Sequence, residues 1–538
     1  PFGLVVTGKA ENPVYLEINN SEVSIKNAKD LWGLTDSQTR EQIASITRNK
    51  ATILTIGPGS ESGCNFGIIA SELAGSASSG FGSVMGSKKL KAIVATGTGQ
   101  IKMAFPDDVT KIRKRIMTMT GKGYYNAYEN PIILPGTTVG KKVHCHGCPQ
   151  GCWRSIHISS SGNEGVRKCS SPMWYATWDK KLNGDFTEVS FEATNIIQDN
   201  TLCGGGVFFL MRFLERCYQR GILTENQAEL PLSKMGSPEF LMAFIQKVIS
   251  GEGFGSTLQK GYKGAGVEMG GEAEEIAGEL DTWPYGPKLF NASALLYAVE
   301  PEPKISEVHE LTSLFSKWSI WRSSKGKQSY LSTDLLRKTG ILFWGSEESV
   351  DSSTYDGKAL AAVKIQNREF LKESLILCDF AYPIFDDAGT DEHVGDPTLE
   401  RQLFQSVTGS KINDKEFEQT GERIFSLNRI IHLLEGRMGR TDDKLDERLF
   451  KKSKDPITDI TGAGFLGMVN PELELPGSGN EIVSKLGNAV DKNAFEKALS
   501  EYYNLRGWNE KSGLFTDDVI SKLQLTEMTG LKSIRKIT

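Results

Sequence analysis

Three cysteines in one short run could hold a metal: Cys145, Cys148 and Cys152, in HCHGCPQGCWR. Their C-x2-C-x3-C spacing brings three thiols close together, and soft thiolates suit iron–sulfur clusters and zinc. The glycine and proline residues between them allow sharp turns that aim each sulfur inward. A [4Fe–4S] cluster needs a fourth ligand, which a distal cysteine such as Cys378, at the end of ESLILC, would provide. The spacing therefore predicts a [4Fe–4S] cluster.

A structural zinc site is the alternative for the same run. It would use two of the three cysteines together with His144 or His146, because four-coordinate zinc accepts mixed sulfur and nitrogen ligands. The spacing is also the reverse of the C-x3-C-x2-C run that is typical of radical S-adenosylmethionine enzymes, which argues against that class. The spacing favours the cluster over zinc and leaves both open.

The composition argues against several classes of protein. The 538 residues carry a net charge of −5, and without a long basic run this disfavours a nucleic-acid-binding protein. The mean hydropathy is −0.30. The sequence contains no run of about 18 apolar residues, so no membrane span is predicted. The eight cysteines are scattered irregularly, which is more typical of reduced thiols and metal ligation than of a secreted disulfide framework. We therefore expect a cytoplasmic protein.

The first residues are unusual for the start of a protein. Pro1 leads directly into the apolar run PFGLVV, without an initiator methionine, a basic segment or a cleavage site. Such a start lacks the marks of both a translation start and a signal peptide. We expect that the N-terminal part of a longer protein is absent.

The character of the sequence changes twice along the chain. Residues 1–104 contain short strand-like segments such as VYLEI, ATILTI and KAIVATG, separated by turn residues. Residues 105–277 carry apolar residues at three- and four-residue spacing, as in LMRFLERCYQRGI, which predicts helices. Residues 278–538 continue with helical stretches such as GERIFSLNRIIHLLEGR. The pattern predicts an α+β fold, with a β-rich domain at 1–104 and mainly helical domains at 105–277 and 278–538.

A glycine- and serine-rich stretch, GSASSGFGSVMGSKKLKAI, occupies residues 75–93. Glycine permits close approach of the backbone, and exposed N–H groups there can bind phosphates. Neither the Walker A pattern nor G-x-G-x-x-G occurs in it. On its own, the stretch fits a plain hairpin of small residues as well as it fits a phosphate-binding loop.

Taken together, these segments resemble the tungsten-containing aldehyde:ferredoxin oxidoreductase family. The family runs IGPAG and then AAGRGGLGAVMGSKNLKAI, where this chain has IGPGS and SASSGFGSVMGSKKLKAI. The family's cluster loop matches CHGCPQGCW, and its G-E-R-I and Y-Y-x-x-R-G-W segments match GERIFSL and YYNLRGW. Its D-x-x-G-L-C segment is matched loosely by Glu373–Cys378. The resemblance covers nearly the whole chain.

The resemblance implies a fold and a set of cofactors. In the family, an N-terminal β-rich domain lies under a metal-bis-pterin, and two largely helical domains enclose it. The metal would be tungsten or molybdenum, and Cys145, Cys148, Cys152 and Cys378 would ligate a [4Fe–4S] cluster. The expected pterin contacts lie in the glycine-rich stretch and just before Cys378: Gly80, Gly82, Gly86, Ser87, Lys88, Glu373 and Leu377.

Two departures from the family pattern bear on the chemistry. The family's glutamate in G-P-E-Y-E-T has no counterpart in residues 168–178, KCSSPMWYATW, which contain no carboxylate. The last aspartate of the family's D-x-x-G-L-D segment aligns with Cys203, in DNTLCGGG. A thiol beside a bis-pterin tungsten can coordinate the metal, since soft sulfur suits it. A buried structural cysteine is the equally weighted alternative.

His309 is the expected proton donor. It ends the stretch VEPEPKISEVH, which resembles in longer form the loop that leads to the family's active-site histidine. Imidazole titrates near neutral pH, as proton delivery requires. Trp174 and Tyr175 are expected to line a slot for a ring. The remaining histidines without a supporting motif are expected at the surface or in packing: His157, His393 and His432.

These departures resemble one branch of the family, the tungsten subunit of class II benzoyl-CoA reductases. The resemblance implies reductive dearomatisation of benzoyl-CoA or a similar aryl-CoA, with low-potential electrons passed through the [4Fe–4S] cluster. Cys203 would then ligate the tungsten. The expected partner is an iron–sulfur electron-transfer subunit or ferredoxin, within an oligomer or larger complex. A ferredoxin-dependent aldehyde or carboxylate oxidoreductase is one alternative, and a non-catalytic iron–sulfur scaffold is another.

Overall fold

The chain forms two compact units. One consists of residues 1–101 and 129–281, and the other of residues 102–128 and 282–538. The first unit contains the two larger sheets, and the second is almost entirely helical, so the predicted α+β fold class is confirmed. The predicted domain boundaries after residues 104 and 277 stay predictions. The computed structural model describes residues 3–47, 51–77, 80–120, 137–148, 154–167, 175–280, 285–301, 305–452 and 464–525.

Within the described residues, the strands form three sheets. The first has the order β2-β1-β6-β3-β4-β5, the second has the order β7-β8-β9, and β10 pairs with β11. In chain order the strands are β1 (Val14–Asn19), β2 (Glu22–Asn27), β3 (Thr52–Thr55), β4 (Ile69–Ala70), β5 (Ser76–Ala77), β6 (Leu90–Thr96), β7 (Thr137–Lys142), β8 (Ser155–Ser159), β9 (Glu164–Arg167), β10 (Glu474–Pro476) and β11 (Ile482–Ser484).

The first sheet is built around β6. This strand runs parallel to β1 and antiparallel to β3, and the other pairings of the sheet are antiparallel. Its sequence, LKAIVAT, is largely apolar, which suits a central strand that is covered on both faces. Val94 packs with Tyr15, Ile43 and Ile53 in a small apolar core.

Helices account for most of the remaining chain, and no described helix is long and apolar enough to cross a membrane. A π-helix, Gly340–Trp344, follows α15. In chain order the described α-helices are α1 (Asp36–Ile46), α2 (Pro58–Glu61), α3 (Phe81–Ser87), α4 (Pro106–Met119), α5 (Ala176–Asn183), α6 (Val189–Asp199), α7 (Gly204–Gln219), α8 (Glu225–Ala228), α9 (Pro238–Ser250), α10 (Gly255–Leu258), α11 (Gly261–Met269), α12 (Glu272–Glu279), α13 (Asn291–Val299), α14 (Ile305–Ser324), α15 (Thr333–Thr339), α16 (Lys358–Ser374), α17 (Leu399–Thr408), α18 (Asp414–Leu434), α19 (Gly464–Val469), α20 (Lys492–Arg506) and α21 (Asp517–Lys522).

The core of the second unit lies between α13, α14, α16, α18 and α20. It contains large, fully buried aromatic side chains, among them Trp318, Trp344 and Tyr502. Helices α16 and α18 approach closely at Gly421, where an added Cβ would lie 2.1 Å from the carbonyl oxygen of Asn367. Helix α14 of this core carries His309, and α16 ends at Ser374, shortly before Cys378.

Candidate functional site

The first two cysteines of the HCHGCPQGCWR run lie in a tight turn between β7 and β8. The N–H of Cys148 donates to the carbonyl oxygen of Cys145 at 3.1 Å, and Gly147 has a φ of +72°. Glycine suits this left-handed position because it has no Cβ. Cys145 is exposed and Cys148 is partly exposed, and neither forms a disulfide. The third cysteine, Cys152, lies outside the described residues.

The base of this turn is tied to the first sheet. The N–H of Val143 donates to the carbonyl oxygen of Arg154 at 3.1 Å, which closes the hairpin. The buried guanidinium of Arg154 donates to the carbonyl oxygen of Leu73. Leu73 lies between β4 and β5, and β5 stands at the start of the glycine-rich stretch, a few residues before α3. The cysteine hairpin therefore lies next to the strand pair that leads into α3.

Cys203 is the N-cap residue of α7. Its Sγ accepts a hydrogen bond from the N–H of Gly206 at 3.5 Å, and its own N–H donates to the carbonyl oxygen of Phe66 at 2.8 Å. Leu202 forms an antiparallel bridge with Gly67. Phe66 also packs on Gly206, where a Cβ would lie 2.7 Å from the Phe66 side chain. Helix α7 therefore begins directly against the Phe66–Gly67 pair.

The glycine-rich stretch contacts the same pair. The N–H groups of Gly80 and Gly82 donate to the carbonyl oxygen of Gly67, at 2.7 and 3.2 Å. Gly80 has a φ of +97° at the start of α3. The structure thus brings Cys203 and the first turn of α3 to one place in the first unit, although they are far apart in the sequence.

Gly82 and Gly86 have a packing role that the sequence did not predict. A Cβ on Gly82 would lie 2.2 Å from Ser60 Oγ and 2.3 Å from the carbonyl oxygen of Ile68. A Cβ on Gly86 would lie 2.3 Å from the carbonyl oxygen of Ser60. These glycines let α3 lie directly on α2. Pterin binding by Gly80, Gly82 and Gly86 stays a prediction.

The polar residues that follow these glycines also have partners within the first unit. Ser87 Oγ donates to the carbonyl oxygen of Val84 at 2.8 Å, and Lys88 Nζ donates to the carbonyl oxygen of Gly8 at 3.0 Å. Lys91 is fully buried, and its Nζ lies 2.5 Å from Glu61 Oε1. Burial lowers the pKa of Lys91 and raises that of Glu61, while the charge of each partner opposes the shift.

A second thiol, which the sequence did not predict as part of the site, lies near Cys203. Cys64 is fully buried, and burial raises its pKa to about 12 although the N–H of Phe66 bonds to it; the neighbouring Cys203 raises it further. Cys64 is therefore a protonated thiol at neutral pH, and its signal in the sequence was only its closeness to the IGPGS segment.

His309 forms a short contact with Asp379 in the second unit. His309 Nδ1 lies 2.5 Å from Asp379 Oδ2. The imidazole also packs against the ring of Phe380, with centroids 4.7 Å apart, and meets the ring of Tyr285 edge-on at 5.7 Å. Burial alone would raise the pKa of Asp379, but the hydrogen bond and charge of His309 hold it below its ordinary value. Asp379 is not predicted from the sequence, where its only signal is its position directly after Cys378.

Cys378 lies on an exposed turn after α16. Its carbonyl oxygen accepts hydrogen bonds from the N–H groups of Ala381 and Tyr382, both at 3.0 Å. Leu377 packs at the edge of an apolar cluster, and Glu373 is in the last turn of α16. Contacts of Glu373 and Leu377 with a pterin stay predictions.

The other aromatic and histidine residues have packing contacts. Tyr175 is buried and its hydroxyl donates to the carbonyl oxygen of Ser237 at 3.0 Å, while Trp174 lies outside the described residues. His157 is buried as expected for a packing residue, and burial lowers its pKa. His393 stacks on a tyrosine ring with centroids 4.0 Å apart, and His432 lies on α18 beside a glutamate.

The predicted ligands are divided between the two units. Cys145, Cys148 and Cys203 belong to the first unit, and Cys378 belongs to the second, as does the predicted proton donor His309. Among the described residues, no group of three or more histidine, cysteine, aspartate or glutamate side chains is arranged to hold a metal ion. The four-cysteine cluster site therefore stays a prediction.

Known proteins show clear similarity to this chain. The family model described as "Aldehyde ferredoxin oxidoreductase, domains 2 & 3" matches residues 133–525, and that of the N-terminal domain matches residues 2–97. The tungsten-containing aldehyde ferredoxin oxidoreductase of Pyrococcus abyssi is 23% identical, over 97% of this chain and 82% of its own length. That of Pyrococcus furiosus is 24% identical, over 98% of this chain and 81% of its own length. The expectation of a missing N-terminal part stays a prediction.

One solved structure has a similar fold along almost the whole chain. It is described as the active site complex BamBC of benzoyl coenzyme A reductase in complex with 1,5-dienoyl-CoA. The TM-score is 0.66 at 18% sequence identity, over 98% of this chain and 82% of that chain. This similarity establishes the fold.

Proposed function

Because the chain belongs to the aldehyde ferredoxin oxidoreductase family, and is therefore an oxidoreductase, we propose a specific reaction for it. It is the tungsten-bis-pterin subunit of an enzyme that reductively dearomatises benzoyl-CoA or a similar aryl-CoA. Low-potential electrons pass through a [4Fe–4S] cluster held by Cys145, Cys148, Cys152 and Cys378. The pterins contact the glycine-rich stretch and the residues before Cys378: Gly80, Gly82, Gly86, Ser87, Lys88, Glu373 and Leu377.

The position of Cys203 is the observation that carries this proposal. The family resemblance places an aspartate there, whereas this chain has a thiol. The thiol is partly exposed, caps α7, and lies beside the Phe66–Gly67 pair that also contacts Gly80. Soft sulfur suits direct coordination of tungsten. A thiolate ligand would distinguish this chain from relatives that have a carboxylate at the same position.

The donor atoms of the described residues fit these groups. Cys145 and Cys148 offer two sulfurs from one tight turn for the cluster. Cys203 offers a separate sulfur, at the start of a helix, for the tungsten. Such thiolate sets suit iron–sulfur clusters and soft metals better than hard cations, which prefer oxygen. When bound, the tungsten-bis-pterin and the cluster supply the low-potential electrons that reduction of an aromatic thioester requires.

His309 delivers the proton in this proposal. Its Nδ1 bonds to Asp379, which leaves Nε2 as the nitrogen that can reach a substrate atom. The flanking rings of Phe380 and Tyr285 are apolar surfaces against the imidazole, and they limit the water that could compete for its proton. Reduction of a ring needs both electrons and protons, and His309 is the titratable group suited to the second task.

The reaction also needs an electron-transfer partner. We propose an iron–sulfur subunit or a ferredoxin, within an oligomer or larger complex. The solved structure of similar fold is itself described as an active site complex. Its fold similarity supports a multi-component enzyme here.

A ferredoxin-dependent aldehyde oxidoreductase is the second candidate. It is favoured by the names of the Pyrococcus relatives, which match 97% and 98% of this chain. It is disfavoured by the absence of a carboxylate from residues 168–178, where the family pattern has a glutamate.

Substrate turnover of the anaerobically purified chain, assembled with its electron-transfer partner, separates the two candidates. The wild type is expected to consume benzoyl-CoA with a low-potential reductant, and to contain tungsten and a [4Fe–4S] cluster by metal analysis and electron paramagnetic resonance. Cys203→Ala and Cys203→Asp are expected to lose aryl-CoA reduction by about 100-fold or more, since even loss of a residue that only orients a metal ligand costs about 10- to 100-fold. Both variants should keep the cluster signal, because its ligands are elsewhere.

Cys217→Ala is the matched control. Cys217 lies on the same helix, α7, but is fully buried, and burial raises its pKa to about 12. This variant should keep aryl-CoA reduction. A wild type that oxidises simple aldehydes and leaves aryl-CoA unchanged would establish the second candidate instead.

A further inference from the structure

We propose that Asp379 is a positioning residue for His309, which it holds in one tautomer and one ring orientation so that Nε2 exchanges the proton. This inference rests on the proposed function, which assigns proton delivery to His309. Neither the cysteine spacing nor the family resemblance singles out Asp379. The assignment comes from the contact between α14 and the turn after α16.

The imidazole of His309 is confined on several sides. Asp379 Oδ2 lies 2.5 Å from Nδ1, and the rings of Phe380 and Tyr285 contact the imidazole. The side chain of His309 is 13% exposed and that of Asp379 is 26% exposed. A carboxylate at this distance fixes the rotation of the ring, since any other rotamer would lose a charge-assisted hydrogen bond in a largely buried place.

Asp379 is itself held in place by the backbone. The carbonyl oxygen of Cys378 accepts hydrogen bonds from the N–H groups of Ala381 and Tyr382, so residues 378–382 form a closed turn. The buried Lys372 donates from Nζ to the carbonyl oxygen of Tyr382 at 2.7 Å. Lys372 is on α16 and also pairs with Glu369. The position of the Asp379 carboxylate is thus set by the turn and by a buried lysine.

The chemistry that follows concerns which nitrogen carries the exchangeable proton. The atom that faces Nδ1 is a carboxylate oxygen, and such an oxygen accepts the hydrogen of an N–H group, so this contact assigns the hydrogen to Nδ1. The proton then leaves from, and returns to, Nε2 only. An asparagine of the same shape would offer Nδ1 either a neutral oxygen or an N–H donor, and would no longer select one tautomer.

The turn also connects this role with electron delivery. Cys378, the proposed fourth cluster ligand, and Asp379 are consecutive in the chain. One short segment therefore carries a ligand of the group that supplies electrons and the carboxylate that orients the proton donor. Variants of Asp379 must accordingly be checked for an intact cluster.

Asp379→Asn is the main test, made in the assembled holoenzyme that reduces aryl-CoA. We expect kcat to fall at least about tenfold, with KM for the aryl-CoA within twofold of wild type, since the substrate-binding surface is unchanged. The crystal structure of the variant should show the His309 ring rotated or disordered, while the [4Fe–4S] signal persists. Asp379→Glu should recover part of kcat because it keeps a carboxylate. Asp379→Ala, with the same expected fall, serves if the asparagine variant does not fold.

Glu435→Gln is the matched control, since Glu435 pairs with His432 in the same unit at 3.3 Å and lies outside the site. It should leave kcat and KM unchanged. The positioning role is overturned if Asp379→Asn has the kcat of the wild type. It is also overturned if the His309 ring in that variant keeps its wild-type position. Full activity in His309→Ala would overturn the proton-donor assignment and this inference with it. An inactive His309→Ala beside a fully active Asp379→Asn would overturn this inference alone.

Discussion

The N–H of Leu377 donates a hydrogen bond to the carbonyl oxygen of Lys372 across 2.9 Å, which closes the C-terminal end of α16. The N–H of Ile376 donates to the carbonyl oxygen of Glu373 at 3.0 Å, and Ile376 has a φ of +57°. These are the two bonds of a Schellman motif, in which the left-handed position is usually glycine. The family's D-x-x-G-L-C pattern has its glycine at this position, whereas this chain has isoleucine.

Ile376→Gly should therefore stabilise the protein. A β-branched residue in the left-handed region costs about 1–2 kcal/mol, and Ile376 is 92% exposed, so its side chain contributes no packing that glycine would lose. After the entropy cost of glycine in the unfolded chain, we expect a gain of about 0.5–1 kcal/mol, measured by urea unfolding. Ile431→Gly is the control: it is half-exposed inside α18 and should lose about 1 kcal/mol. A change in the free energy of unfolding in the same direction for both variants would contradict a strained backbone at Ile376.

Gly82→Ala should destabilise the first unit. The new Cβ would lie 2.2 Å from Ser60 Oγ and 2.3 Å from the carbonyl oxygen of Ile68, and the backbone must move to relieve the second contact. Overpacking of this kind costs about 1–3 kcal/mol, which thermal or urea unfolding would detect. Gly99→Ala, where no atom lies within 4 Å of the added Cβ, should be nearly neutral. A neutral Gly82→Ala would show that α3 can shift on α2.

With Cys145 and Cys148 as ligands of the proposed cluster, Gly147→Ala should weaken iron binding. Gly147 has a φ of +72° in the turn that joins Cys145 and Cys148, and a Cβ there costs about 1–2 kcal/mol of strain. Relaxation of the turn would move the two sulfurs apart, so we expect less iron per chain by metal analysis. Gly162→Ala introduces similar strain, at a φ of +88°, in the turn between β8 and β9. Equal iron loss in both variants would point to general unfolding rather than to the cluster turn.

Lys358→Met should lower the slope of the unfolding free energy against pH relative to the wild type. Burial lowers the pKa of Lys358 to about 7, and Asp351, Asp356 and Glu348 face it with opposing charges. Its buried neighbour Lys485 lowers it further, and burial likewise lowers the pKa of Lys485 to about 8. Each lysine has an ordinary pKa of 10.5 in the unfolded chain. Between pH 7 and 10 these two lysines therefore bind more protons in the unfolded chain than in the folded chain.

The sign follows from this difference, because stability rises with pH wherever the unfolded state binds more protons. Each lysine that is neutral in the folded chain contributes a slope of up to about 1.4 kcal/mol per pH unit. The two lysines should therefore make a positive contribution to the slope of the unfolding free energy against pH between pH 7 and 9.5, which urea titrations measure. Lys358→Met should show a smaller slope, and Lys364→Met, a partly exposed lysine on the same helix, should keep the wild-type slope. A wild-type slope in Lys358→Met would refute the shifted pKa.

The sequence by itself determined the features that depend on neighbouring residues. The α+β class follows from strand-like and helix-like periodicity, which local spacing encodes directly. The tight turn at Cys145 and Cys148 follows from Gly147 between them, and the family membership follows from several short motifs along the chain. The prediction that Cys203 stands where the family resemblance has an aspartate likewise came from the sequence alone.

Only the tertiary structure decided which distant residues meet. Cys203 and the glycine-rich stretch meet at the Phe66–Gly67 pair, and His309 meets Asp379. These contacts arise because whole helices and strands pack in one register that no local window of sequence specifies. The glycines at positions 82 and 86 could be interpreted from sequence as phosphate-binding, and the structure adds their close packing on Ser60. The physical reason is that packing depends on the combined shape of elements far apart in the chain, whereas turns and periodicity depend on a few adjacent residues.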